Sequence, residues 1–312
     1  VPSFSGGSCL MMPSLAVLAL NALGAQEIPD PRLVTAETLS YPSALARLQE
    51  PGQILFSDGF ERASSLNSYF EVQGQKEGLA KIETAPGLAR TGAGCLSLAA
   101  PDRNGTASGS SVHFALKNGH EKLHVRTFMK FAADYDQGNL NHTGPGLSGY
   151  AGPNKWAAMG KAGLRPKGDD RFSTRLEPWI DYRREKPPGW LFAYTYWMDM
   201  KQDRDGNYWG NFLGPDPQER FIPPRGRWIC LELMVKLNSF DGGRGGFDGE
   251  LAAWIEGRLY LHYKGIRWRS SPEVLLRNFA LDIYIHSAIR RNQVWFDDVV
   301  LSTGYVGPTD AG

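Results

Sequence analysis

Apolar and polar residues alternate along much of this chain, with the two-residue period of a half-buried β-strand. In 229–238, Ile229, Leu231, Leu233, Val235 and Leu237 point one way, and Cys230, Glu232, Met234, Lys236 and Asn238 the other. In 279–286, Leu281, Ile283 and Ile285 form the apolar face, and Asp282, Tyr284 and His286 the polar one. In 122–131, His124, Arg126, Phe128 and Lys130 share a side. Similar segments recur near 69–73, 79–84, 94–99, 110–116, 171–177, 190–201, 249–256, 258–264 and 293–301, with Gly, Asn or Pro between them. Regular short strands separated by turn residues predict an all-β sandwich or jelly roll, not alternating strands and helices. If the polar faces belong to one concave sheet they line a groove; if they belong to separate surfaces they are solvated faces.

Three segments fall outside this rhythm. Residues 1–25 hold an apolar run, Leu15 to Leu20, followed by Ala22, Gly24 and Ala25, as in the core and cleavage region of an export leader, although no Lys or Arg precedes Arg32. The run is too short to cross a membrane, and a secreted or periplasmic protein without a membrane anchor is expected. Residues 26–52 read as an N-terminal extension, with a short helix over Pro42 to Gln49. Residues 53–308 form the β domain. Within it, 138–150 is so rich in glycine (Gly138, Gly144, Gly146, Gly149) that it reads as a loop feeding the strands that follow.

Composition narrows the function. The 312 residues are 42% hydrophobic, enough for a substantial core. The net charge of +1 gives no basic field of the kind that draws nucleic acid. Residues 155–186 nevertheless hold nine Lys and Arg against five Asp and Glu, which favours an acidic partner at that place. Cys95 and Cys230 lie in strands, as buried thiols or as a pair. No residues have metal-ligand spacing and no cofactor is expected. The nearest signal is Asp203-Arg204-Asp205-Gly206-Asn207, whose acidic spacing hints at calcium but whose Gly is misplaced for an EF-hand, so that a turn at Asp205-Gly206 is the simpler reading.

Several motifs in order resemble one family. Trp228-Ile229-Cys230-Leu231-Glu232-Leu233-Met234-Val235-Lys236-Leu237-Asn238 is followed by Asp248-Gly249 and then Trp254-Ile255-Glu256-Gly257, a W-x3-E-x3-K-x-N and DG-x4-W-x2-G pattern. Together with Gly144-Pro145-Gly146-Leu147, Phe172-Ser173-Thr174-Arg175-Leu176 and Val294-Trp295-Phe296-Asp297-Asp298, it resembles the alginate and glucuronan lyase-like polysaccharide lyases. The resemblance implies a concanavalin A-like jelly roll of two antiparallel sheets with a concave groove. It also implies β-elimination on an acidic, uronate-containing polysaccharide. The lysine that often precedes the family's Leu-Pro-Gly-Leu loop is missing, since this chain reads Asn141-His142-Thr143-Gly144-Pro145. A carbohydrate-binding, lectin-like sandwich and a glycoside hydrolase on the same fold remain alternatives. The hydrolase would need two carboxylates across the cleft.

A uronate lyase must neutralise a carboxylate, take the proton beside it and protonate the departing oxygen. Arg175 is the candidate for the first task, because a guanidinium stays charged and binds carboxylates in a fork. Tyr194 and Tyr196, on one face of their strand, are candidates for acid or acid–base, and His142 and His286 for the base or for helping to neutralise the carboxylate. Expected substrate contacts are Arg126, Lys130 and Tyr284 on polar strand faces, and Glu232 and Lys236 from the family-like strand. Asn139 and Asn141 beside the glycines, and Trp190 and Lys201 at the two ends of the aromatic strand, complete the set. A monomer is expected.

Overall fold

The protein is described by a computed structural model covering residues 32–33, 42–241 and 243–309. The proposed leader and most of the N-terminal extension lie outside these residues. In chain order the elements are β1 (Arg32–Leu33), α1 (Pro42–Leu48), β2 (Ile54–Asp58), β3 (Glu71–Gln73), β4 (Ala80–Glu83), β5 (Cys95–Ala100) and β6 (Ser108–His120). Next come β7 (Lys122–Phe131), β8 (Asn141–Tyr150), β9 (Arg171–Trp179), β10 (Trp190–Tyr196), β11 (Asn211–Leu213) and β12 (Trp228–Lys236). The last are β13 (Phe240–Asp241), β14 (Arg244–Gly245), β15 (Gly249–Ile255), β16 (Arg258–Ile266), β17 (Leu275–Ile285) and β18 (Asn292–Ser302).

All strands but β13 and β14, which pair only with each other, form two antiparallel sheets, the jelly-roll sandwich that the alternation implies. One has nine strands in the order β1-β16-β15-β12-β7-β18-β5-β4, with β2 also on β18; the other has seven in the order β11-β10-β9-β8-β17-β6-β3. The core lies between them. Ile229, Leu231, Leu233 and Val235 of β12, with Leu123, Val125 and Met129 of β7, meet Phe279, Leu281, Ile283 and Ile285 of β17 in one buried cluster. Burying such side chains contributes roughly 1.5–3 kcal/mol each, which fixes which face of every strand turns inward.

Two expectations are corrected here. The glycine-rich stretch is not a loop: 141–150 is the central strand β8, paired with β17 on one side and β9 on the other. Its glycines serve close approach. A Cβ on Gly144, at φ +143°, would lie 2.1 Å from the Leu176 carbonyl oxygen. The aromatic strand also stops at Tyr196, because Trp197 and Met200 turn into the core.

The outward face of the nine-stranded sheet carries its own cover. Leu48 of α1 packs on Met234, Ala252 and Trp254. Arg90 lies over the Phe128 ring and pairs with Asp298. Cys95 and Cys230 are both buried and unpaired.

Candidate active site

The outward face of the seven-stranded sheet collects the chemistry. Register sets Tyr194 beside Arg175, Arg175 beside Gly146, Gly146 beside Ala280 and Ala280 beside His113. One row further on, Asp282 lies beside Gly144 and Ser111, and one row beyond that Tyr284 lies beside His142. Loops after β8 and β10 stand over this floor. Two cavities result, of about 150 Å³ and about 500 Å³, and both are lined by His142 and Tyr194.

Arg175 reaches across β8 to Asp282, Nη2 to Oδ2 at 2.6 Å. A Cβ on Gly146 would already touch the Arg175 Nε at 3.5 Å and the Thr174 carbonyl oxygen at 3.1 Å, so a longer side chain there would meet the guanidinium. The neighbouring Asp282 and Glu177 hold the guanidinium pKa up against the opposing effect of burial. His113, buried, has Nε2 3.9 Å from the other Asp282 oxygen and donates to or accepts from Ser111 at 2.9 Å. Burial holds His113 below the ordinary histidine range.

His142 projects from β8 with Nδ1 3.1 Å from the buried Glu177 carboxylate of β9. Its Nε2 lies 3.2 Å from Nε2 of His286. Desolvation and the adjacent His142 bring His286 down to about 4, so that its ring is neutral near pH 7. Tyr284 stacks on His142 with ring centres 6.0 Å apart.

The Tyr194 ring lies 4.9 Å from the His142 ring. Its hydroxyl accepts the Gly210 N–H at 2.9 Å, and a Cβ on Gly210 would fall 2.5 Å from the phenol. Burial and the neighbouring Tyr196 raise the Tyr194 pKa far above its ordinary value, which keeps the phenol protonated. Tyr196 accepts the Gly163 N–H at 3.4 Å from the loop above.

The five residues expected to be catalytic therefore share one face, and Tyr284 with them. Asn141 reaches the larger cavity, its amide donating to the Pro178 carbonyl. Asn139 precedes β8 and lines neither cavity. The other expected contacts lie elsewhere. Trp190 is buried against Trp179 and Phe192, with Arg220 over its ring. Lys201 is exposed beyond the end of β10. Arg126, Lys130, Glu232 and Lys236 belong to the outward face of the nine-stranded sheet, across the whole core from Arg175. There Glu232 accepts from the Val306 and Gly307 N–H groups and contacts His124 at 2.7 Å. Lys236 pairs with Glu250. Arg126 and Lys130 donate to the carbonyls of Asp298 and Leu88. They share the alternation of the groove strands, and only sheet order separates them. The residues that hold or adjoin Arg175 and His142 were absent from the expected set: Glu177, Asp282 and His113. Glu177 and Asp282 stand two positions from Arg175 and Tyr284, so period-2 reading places them on the right face. Their partners are 35 and 107 residues away, and no local signal gives those contacts.

Among the described residues no three His, Cys, Asp or Glu side chains are grouped to hold a metal ion. In the segment whose acidic spacing hints at calcium, Asp203 accepts from the Trp209 N–H and Asp205 from the Trp209 indole.

No protein-family model matches the chain, and no curated protein sequence matches it. Solved structures do share its fold. The alginate lyase vAL-1 from Chlorella virus has a TM-score of 0.59 at 16% identity, over 80% of this chain and 100% of the other. The marine PL-14 alginate lyase from Aplysia kurodai has a TM-score of 0.59 at 16% identity, over 80% and 99%. The endo-beta-1,4-glucuronan lyase from the fungus Trichoderma reesei has a TM-score of 0.53 at 15% identity, over 80% and 96%. At this identity the likeness is one of fold.

Proposed function

We propose that this protein is an exported polysaccharide lyase that cleaves an acidic, uronate-containing polysaccharide by β-elimination. One observation carries the reading: Arg175, His142 and Tyr194 converge from three adjacent strands on one groove, each with the partner its task needs. The fold shared with alginate and glucuronan lyases agrees with it.

Arg175 offers the substrate carboxylate the guanidinium edge that Asp282 leaves over, and offsets the charge that grows when the neighbouring C–H is broken. With Nδ1–H turned to Glu177, His142 has its basic Nε2 towards His286, and the buried carboxylate stabilises the imidazolium formed when that nitrogen takes the C5 proton. The substrate C–H takes the place of His286 there. Tyr194, held protonated, donates to the glycosidic oxygen as the C4–O bond breaks and the C4–C5 double bond forms. Glu177 and Asp282 share the groove, but each accepts a hydrogen bond from a basic side chain. That suits them to orienting His142 and Arg175 better than to the paired acid and base of a hydrolase.

The test is ultraviolet absorbance of the unsaturated uronate, with alginate, glucuronan, pectate and glycosaminoglycans as substrates. A rise lost in Arg175→Ala and Tyr194→Phe supports the reading. No rise on any acidic polymer, with retention on a polysaccharide gel, replaces it with a binding module, for which the ready-made Arg175–Asp282 pair would be the structural reason.

A further inference from the structure

The two cavities that meet at His142 and Tyr194 differ in chemistry. The smaller is lined by Lys161, Arg171 and Arg175 and by no carboxylate. Arg171 is tied to Asp170 and Arg175 to Asp282, while Lys161 comes from the loop after β8. The larger is lined by no Lys or Arg, by Glu177 and Asp203, and by a wall of aromatic rings. Phe212 stacks on Phe192 at 4.3 Å with 3° between planes, and Trp179 meets Phe212 edge-on at 5.1 Å. Phe212 is 46% exposed and Trp209 41%, and both line the same cavity, so they form an exposed aromatic patch of the kind that marks a ligand groove. Aromatic faces accept the C–H face of a sugar, and two carboxylates with no Lys or Arg in the lining disfavour an anionic one.

We infer that the groove takes a mixed polysaccharide, with a uronate on the Arg175 side and a neutral sugar on the aromatic side. The assignment of the scissile bond rests on the lyase reading; the division of the groove does not. In the elimination, the uronate whose C5–H goes to His142 and whose C4–O bond breaks lies over Arg175. The sugar that leaves with a new anomeric hydroxyl, carrying the Tyr194 proton, lies against Phe212 and Trp209. An alternating polymer of uronate and neutral hexose fits this order; a homopolyuronate would put a carboxylate beside Glu177 and Asp203.

Two measurements on the full chain test this separately. The first is binding by tryptophan fluorescence or calorimetry, with a neutral hexose oligosaccharide and an oligouronate as probes. Phe212→Ala is expected to weaken the neutral oligosaccharide about tenfold and leave the oligouronate within about twofold, and Lys161→Ala to do the reverse. Equal losses for both probes in both variants, no binding of the neutral oligosaccharide, or a Phe212 effect confined to the oligouronate would overturn the division. The second compares elimination on an alternating uronate–hexose polymer and on homopolyuronates. Faster cleavage of the alternating polymer, with a neutral sugar at the new reducing end, is expected. Equal or faster cleavage of the homopolyuronates overturns the inference while leaving the lyase reading intact. Split binding with no unsaturated product from any polymer supports the division of the groove and removes the lyase reading instead.

Discussion

Nη2 of Arg175 and Oδ2 of Asp282 lie 2.6 Å apart although β8 runs between their strands. The bridge passes over Gly146, which has no side chain to block it. A glycine-rich central strand thus makes the groove floor flat where a guanidinium must lie across it, which links a sequence oddity to the placing of the main cation.

Gly146→Leu is expected to displace Arg175 and lower kcat/KM by about 10²–10³, close to the loss for Arg175→Ala itself, since removing such a donor costs about 3–4 kcal/mol of transition-state stabilisation. Steady-state kinetics on the cleaved polymer measures this. Wild-type rates in Gly146→Leu would show that the crossing is not needed.

Gly210→Ala is expected to act on Tyr194 alone. Its Cβ would meet the phenol at 2.5 Å, so the hydroxyl must move while the sheet stays folded. kcat should fall about tenfold or more, as for a displaced general acid, with binding of an oligouronate little changed. Calorimetry beside the kinetics separates the two effects.

Glu232 lies on the sheet opposite the groove and is placed to serve folding. Its buried carboxylate receives two backbone N–H groups, from Val306 and Gly307, and touches His124. Glu232→Ala should cost about 3 kcal/mol or more, because it strands those donors in the interior. Urea denaturation reads that loss, and kcat/KM of the protein that remains folded should be unchanged.

Stability should fall on the acid side. His286 is held down to about 4 in the fold, against 6.5 for the free side chain, so the unfolded chain takes the proton first. Its contribution is complete above about 6.5 and is lost as pH falls toward about 4. Burial holds His113 and His124 low as well, and they act in the same direction. His286→Asn should flatten part of this decline in denaturation curves recorded across the interval.

Of the three cysteines, the two in the β domain, Cys95 and Cys230, should be silent until the protein opens. Burial pushes Cys95 and Cys230 up to about 12, and they are unpaired. Alkylation followed by peptide mapping should label neither in the native protein and both in denaturant without reductant.

Much of this was legible in the chain. Alternation in 279–285 placed Leu281 and Ile283 in the core and Asp282 and Tyr284 outside, and the sheet agrees. Tyr194 and Tyr196, two positions apart, were expected on one face of their strand for the same reason, and both line the smaller cavity. Sheet membership was not legible. Arg126 and Glu232 alternate as well as Arg175 does, yet long-range pairing, which no local pattern encodes, puts them on the far sheet. Residues 141–150 misled because glycine and proline ordinarily mark turns, whereas here missing side chains are what the central strand needs.

The most direct measurement is the mass of the products from one defined uronate-containing oligosaccharide. Elimination conserves mass: the two fragments together should weigh what the substrate weighed, and the fragment from the Arg175 side should carry the unsaturated ring. Fragments that together exceed the substrate by one water would mean hydrolysis and would contradict the account, as would an oligosaccharide that binds in the groove and is recovered whole.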